Sequence, residues 1–220
     1  MSEIFFNGPA GRIEGRYYPS SKAEAPIALI LHPHPLYGGT MQNKVVHMLG
    51  QIFQRQDFSV LRFNFRGVGR SVGEYDHGQG ELSDAASALD WLQQLNENAP
   101  QCWIAGFSFG AWIAMQLLMR RPEISGFISV APPANSYDFT FLAPCPVSGA
   151  IAHGTADQVV PPESVDKLVA KLSSQKNIAI EHMKIKGANH FFETHLTELG
   201  RAVTDYLVRQ NTLLTGSQSA

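Results

Sequence analysis

The sequence has only two cysteines, Cys102 and Cys145, too few for a disulfide framework. Cys102 lies in an expected buried strand and reads as a packed free thiol. No cluster of cysteine and histidine has zinc-ligand spacing, so no metal is expected. Neither sign of charge dominates: 17 Lys and Arg against 19 Asp and Glu leave a net charge of −2. That argues against nucleic acid or an anionic membrane surface as a partner. No run reaches the ~18 uninterrupted apolar residues that a spanning helix needs. The stretch Met1-Ser2-Glu3-Ile4-Phe5-Phe6 lacks the basic start and long apolar core of a signal peptide, so a cytoplasmic setting is expected. Repeats, linkers and low-complexity blocks are missing too. The glycine-rich stretch Arg66-Gly67-Val68-Gly69-Arg70-Ser71 is not a phosphate-binding P-loop, because no G-K-[ST] follows.

What the chain does have is alternation. Glu3 to Asn7 and Arg12 to Tyr18 read as a hairpin around Gly8-Pro9-Ala10-Gly11. Strands are predicted at Pro26 to Leu31, Ser59 to Phe65, Cys102 to Ala105, Gly126 to Ala131, Pro146 to Ala152 and Ile178 to Ile185. Helices are predicted from about Met41 (capped by Thr40) to Gln54, Glu81 to Leu95, Ala111 to Met119, one opened by Pro161-Pro162 with Val165, Leu168, Val169 and Leu172 inward, and Glu193 to Val208. Such alternation implies an α/β fold, a mainly parallel sheet with helices on both faces. One domain is expected over residues 1–211, with a flexible tail over 212–220.

The stretch Gly106-Phe107-Ser108-Phe109-Gly110 sits where a short strand turns into a helix. This is the setting of a G-x-S-x-G nucleophile elbow. Small residues permit the sharp turn, and the helix start offers free N–H groups to an anionic oxygen. A serine hydroxyl needs a base, and the base needs an orienting acid. In an open parallel sheet such groups gather past the C-terminal strand ends. Two loops there contain Asp157, in His153-Gly154-Thr155-Ala156-Asp157, and His190, in Gly187-Ala188-Asn189-His190. His190 is assigned as general base and Asp157 as the acid. Asp138 is the rival acid, set aside because Asp157 lies nearer its strand's end. His153 reads as a packed, satisfied core histidine.

The oxyanion of acyl transfer needs two donors. One is the N–H of Phe109, after the nucleophile. The other belongs to the loop His32-Pro33-His34-Pro35-Leu36-Tyr37-Gly38-Gly39, where the prolines have no N–H. His34, through its backbone, is the first candidate, with Leu36 or Tyr37 next. The rings of His32 and His34 read as structural. Arg66 and Arg70 are expected to pin their loop rather than bind an anionic substrate. Asp76, His77 and Asp84 read as loop and helix-start groups.

The motifs His32-Pro33-His34-Pro35, Gly106-Phe107-Ser108-Phe109-Gly110, His153-Gly154-Thr155-Ala156-Asp157 and Gly187-Ala188-Asn189-His190, with Phe65-Arg66-Gly67-Val68-Gly69-Arg70-Ser71, resemble the α/β-hydrolase superfamily over nearly the whole chain. Within it the chain is most similar to a small bacterial group of predicted hydrolases of unassigned substrate. The resemblance implies the triad Ser108, Asp157 and His190, no cofactor, and hydrolysis of an ester, thioester or amide. Many relatives have a helical lid where this chain has only Pro132 to Cys145. An open site without a lid domain follows, suited to a small or exposed acyl group, with Tyr137, Phe139, Phe141 and Leu142 either walling the site or covering the core. The usual His-Gly of the oxyanion loop is His32-Pro33 here. An esterase or thioesterase acting on a small-molecule acyl substrate is expected. A peptidase or acyl-aminoacyl hydrolase, and a hydrolase-like binding protein without turnover, are the alternatives. The oligomeric state stays open.

Overall fold

In the computed structural model, which describes residues 2–217, the short apolar runs pair into one eight-stranded sheet. A hairpin of β1 (Ser2–Gly8) and β2 (Gly11–Tyr18) forms one edge. Next come β4 (Ser59–Phe63), β3 (Ile27–Leu31), β5 (Cys102–Phe107), β6 (Ile124–Val130), β7 (Gly149–Gly154) and β8 (Ile180–Ile185), in that spatial order. β2 meets β4 antiparallel, and all pairs from β4 through β8 are parallel. Every residue of β3, β4, β5 and β7 is buried, as continuous apolar strands covered on both faces must be.

Two helix layers do the covering. α1 (Lys44–Arg55) and α5 (Leu196–Ser217) pack on one face through Val46, Leu49, Phe53, Leu199, Val203 and Leu207. α2 (Gln79–Gln94), α3 (Phe109–Leu118) and α4 (Pro162–Ser173) pack on the other through Leu89, Ile113 and Leu168. The chain runs from β3 outward to β4, then returns past β3 to lay down β5. The order therefore reverses between β3 and β5, and a crevice opens beyond their C-terminal ends.

Most element ends shift by one to three residues from the sequence reading, and three differences have a plain physical cause. α1 is capped by Asn43, not Thr40, because the Asn43 side chain accepts from the N–H groups of Val45 and Val46. The Thr40 hydroxyl serves an earlier turn, accepting from Gln42 N–H. α5 starts at Leu196, three residues late, since residues 189–195 are drawn into turns at the end of the base loop. It also continues to Ser217, for no glycine or proline interrupts it before Gly216. The tail expected over 212–220 is thus helical through Ser217, and residues 218–220 lie outside the described residues.

His32 joins the strand ends. Its Nδ1 is 2.6 Å from the Pro33 carbonyl oxygen, and its Nε2 accepts from Phe65 N–H at 3.0 Å. The ring is fully buried, and that burial lowers its pKa to about 4 despite the Pro33 carbonyl. A folded pKa below the unfolded one makes folding favour the neutral form. The stabilisation is complete above pH 6.5 and is lost as pH falls through about 4. Denaturant unfolding should show wild type losing on the order of 3 kcal/mol over that window through this group. The loss should shrink in His32→Gln, whose amide can still donate and accept. Equal pH slopes for the two proteins would contradict this role.

Candidate active site

Ser108 stands between the last residue of β5 and the first of α3. Its backbone adopts φ +52° and ψ −119°, a region L-residues seldom enter. Such a residue carries about 1–3 kcal/mol of strain, which the surrounding packing must hold. Ser108 N–H donates to Val130 O on β6 at 2.8 Å, and Ser108 O accepts from Ala111 N–H at 2.9 Å. The flanking glycines serve close approach. A Cβ on Gly106 would lie 2.3 Å from Gly110 O, and one on Gly110 would lie 2.5 Å from both Leu31 O and His32 O. The start of α3 therefore presses directly on the end of β3.

The acid and base loops are laced together. Thr155 N–H donates to Ile185 O and Ala156 N–H to Ala188 O, each at 3.0 Å, and Gly187 N–H donates to the Thr155 hydroxyl at 2.8 Å. A Cβ on Gly154 would reach 2.3 Å from Ala188 O, so glycine lets the loops touch. This lacing sets His190 Nδ1 2.7 Å from Asp157 Oδ2. The other imidazole nitrogen, Nε2, lies 3.1 Å from Ser108 Oγ. The three residues singled out in the sequence come together in one hydrogen-bonded row.

Asp157 is buried, and its second oxygen accepts from Val159 N–H and Val160 N–H, each at 2.8 Å. Burial alone would raise its pKa. The His190 N–H, the Val160 N–H and the nearby imidazole charge outweigh that and hold it below the usual carboxylate value. An ionised Asp157 fixes the proton on Nδ1, leaving Nε2 as an acceptor facing the serine hydroxyl. The imidazole itself is held between Phe107 and Phe191, with ring centroids at 5.4 and 5.2 Å.

The structure sets Asp138 apart. It is exposed, and its carboxylate binds the N–H and hydroxyl of Thr140, each at 2.7 Å. His153 is buried in β7 as expected, but it is not satisfied on both sides. Nε2 meets Val160 O at 3.1 Å and lies 3.7 Å from Asp157 Oδ2, while Nδ1 is buried without a partner. Burial lowers its pKa, so it sits neutral beside Asp157. Its strand position signals burial but not which nitrogen is served. Arg66 grips Asp84 through two nitrogens at 2.9 and 2.8 Å, and Arg70 binds Glu14 and Glu3. Both arginines hold the loop after β4.

Residues 35–37 form a single 3-10 turn past β3. The turn uses up two of the three candidate donors: Leu36 N–H goes to the His34 ring at 3.2 Å and Tyr37 N–H to His34 O at 3.1 Å. His34 N–H is the one the turn does not use, and its ring lies 4.9 Å from that of Phe109. A cavity of about 500 Å³ opens at Ser108. His34, Tyr37, Tyr75 and His77 line one side, and Pro133, Tyr137 and Val160 line the other. Tyr75 and His77 were not expected here. They follow β4 past its C-terminal end, and the rule that located Asp157 and His190 points to them as well. Glu81 also escaped the sequence reading. It is fully buried and accepts from Asp76 N–H and Gly78 N–H, which clamps the loop carrying Tyr75.

No helical lid covers the cavity; between β6 and β7 lies one 3-10 turn, Thr140–Leu142. Tyr137 lines the site, whereas Phe139 and Leu142 are buried in the core. Three solved structures share this fold. The Agrobacterium tumefaciens protein of unknown function ATU1826 is 60% identical with a TM-score of 0.94, over 96% of this chain and 97% of that one. An alpha-beta serine hydrolase homologue from Coxiella burnetii is 36% identical with a TM-score of 0.84, over 94% and 97%. The Xanthomonas campestris protein XC6422, an α/β serine hydrolase without lid, is 30% identical with a TM-score of 0.85, over 95% and 94%.

The chain belongs to the α/β-hydrolase family. A family model described as serine aminopeptidase, S33, matches residues 36–144 of this α/β hydrolase. It is of the serine-hydrolase type and lacks a lid domain. Among the described residues no group of three or more His, Cys, Asp or Glu is placed to hold a metal ion. Nor is any helix among them long and apolar enough to cross a membrane.

Proposed function

We propose that this α/β hydrolase cleaves an ester or thioester of a small or exposed acyl group through an acyl-enzyme on Ser108. The observation that carries this is the row Ser108 Oγ to His190 Nε2 at 3.1 Å and His190 Nδ1 to Asp157 Oδ2 at 2.7 Å. His190 Nε2 takes the hydroxyl proton as Oγ bonds to the acyl carbon. Asp157 holds the resulting imidazolium. The oxyanion is met by Phe109 N–H, free because it begins α3, and by His34 N–H. The tetrahedral adduct then collapses. His190 returns the proton to the leaving oxygen or sulfur, and the acyl group stays on Oγ. A water enters, gives its proton to Nε2, and attacks the acyl carbon. Collapse releases the acid and restores the serine hydroxyl.

The serine aminopeptidase description supports a second reading, removal of an N-terminal residue. Such a substrate brings an α-ammonium that needs a carboxylate. No Asp or Glu lines the cavity, and Asp157 is already committed to His190 and two backbone amides. The ester or thioester reading is therefore preferred. The two unpaired cysteines fit a reducing, cytoplasmic setting.

A fluorophosphonate probe tests the reading. The folded protein should gain one adduct mass, and Ser108→Ala should gain none. Well-folded wild type that stays unlabelled would remove the enzyme reading and favour a binding role.

A further inference from the structure

The cavity beside Ser108 is bounded by ring faces. His34 and Tyr75 form one wall, centroids 5.0 Å apart at 39°. Tyr137 forms the other, 4.3 Å from Trp112 at 37°. Phe109 lies between them, 4.9 Å from His34 and 6.0 Å from Tyr137. No Lys, Arg, Asp or Glu lines the space.

These walls are fastened before any ligand arrives. The His34 ring accepts Leu36 N–H at 3.2 Å. Trp112 Nε1–H donates to Asp138 O at 3.1 Å, which ties the stretch after β6 to α3. Glu81 brackets the Tyr75 loop through Asp76 N–H at 2.9 Å and Gly78 N–H at 2.7 Å. A preformed space favours a rigid group that loses few rotors on binding. Aromatic walls add edge and face contacts that a saturated ring cannot return. No carboxylate or permanent cation stands there to balance a charged group, the lining residues able to take up a positive charge being His34 and His77.

We propose that the substrate carries an uncharged aromatic group seated between these walls. This rests on the serine-hydrolase reading above and names the substrate class for it.

Two ester pairs of matched intrinsic reactivity test it. On the acyl side they are methyl 3-phenylpropanoate and methyl 3-cyclohexylpropanoate. On the alcohol side they are benzyl acetate and cyclohexylmethyl acetate. Apolar burial alone favours the larger, more hydrophobic cyclohexyl group. The aromatic walls should reverse this, with kcat/KM for the phenyl member higher by about tenfold or more in at least one pair. The ratio should collapse in Tyr137→Leu, and in Tyr75→Leu, which lies on a different loop. A ratio under about threefold in both pairs, or one unchanged in both variants, overturns the proposal. If Ser108 is labelled by fluorophosphonate and methyl acetate is hydrolysed while both ratios stay near unity, the substrate class fails and the hydrolase reading stands. An unlabelled Ser108 brings down both.

Discussion

His190→Ala should lower kcat on a small ester by about 10⁴-fold or more, because triad members act as a unit. The physical ground is the single proton path. Nε2 is the only base placed at Ser108 Oγ among the described contacts, at 3.1 Å. A hydroxyl without that acceptor stays protonated at neutral pH and attacks poorly. Remaining catalysis would come from the oxyanion donors and from binding, so KM should move far less than kcat. Asp157→Asn should cost about as much, for an amide in place of the carboxylate stabilises the wrong imidazole tautomer. Asp138→Asn should leave turnover near wild type, because its carboxylate only organises Thr140. Steady-state kinetics on purified, folded variants decide the matter. A loss of only a few-fold in His190→Ala would strip that residue of its role. A crippled Asp138→Asn beside an active Asp157→Asn would show the wrong acid had been chosen.

Gly110→Ala should be severely damaging to the elbow. The added Cβ would lie 2.5 Å from two carbonyl oxygens at the end of β3, Leu31 O and His32 O. Backbone cannot swing aside as a side-chain tip can. Either α3 lifts from the sheet or β3 shifts, and overpacking of this kind costs about 3 kcal/mol. In a chain of this size that corresponds to a fall in Tm of roughly 10 °C. Each of these segments carries one proposed oxyanion donor, Phe109 N–H on α3 and His34 N–H after β3, so kcat should drop as well. Gly38 offers the contrast. Nothing lies within 4 Å of a Cβ there, but its φ is +77°. Gly38→Ala should cost only about 1 kcal/mol, the backbone term alone. Calorimetry of the two variants separates steric from conformational need. A Gly110→Ala protein melting within a degree or two of wild type would show that the elbow has slack.

The fold was legible because its rules are short-ranged. Apolar runs such as Ile27–Leu31 and Cys102–Phe107 can be buried on both sides only as inner strands. α1 was legible for the same reason, since Val45, Val46, Leu49, Ile52 and Phe53 repeat at helical spacing. Its cap was not, because Thr40 and Asn43 are both good caps and only the path of the preceding turn chooses between them. The elbow was legible through its glycine spacing around Ser108, although only the need of Gly106 is local, since that of Gly110 is set by the end of β3. The partner left off one nitrogen of His153 was not, since it depends on what the opposite strand and α4 bring up.

By itself, then, the sequence determined the alternation of strands and helices, the strand–serine–helix junction, and the chain order serine, aspartate, histidine. Each follows from windows of a few residues, where backbone sterics and apolar spacing leave few choices. Only the tertiary structure decided that His190 Nε2 meets a serine 82 residues away and that Nδ1 meets an aspartate 33 residues away. It alone brought Tyr75 and Tyr137, from loops on opposite sides of the nucleophile, to one cavity. Such meetings depend on the order of strands in the sheet and on how closely Gly154 lets two loops approach, and no local rule contains either.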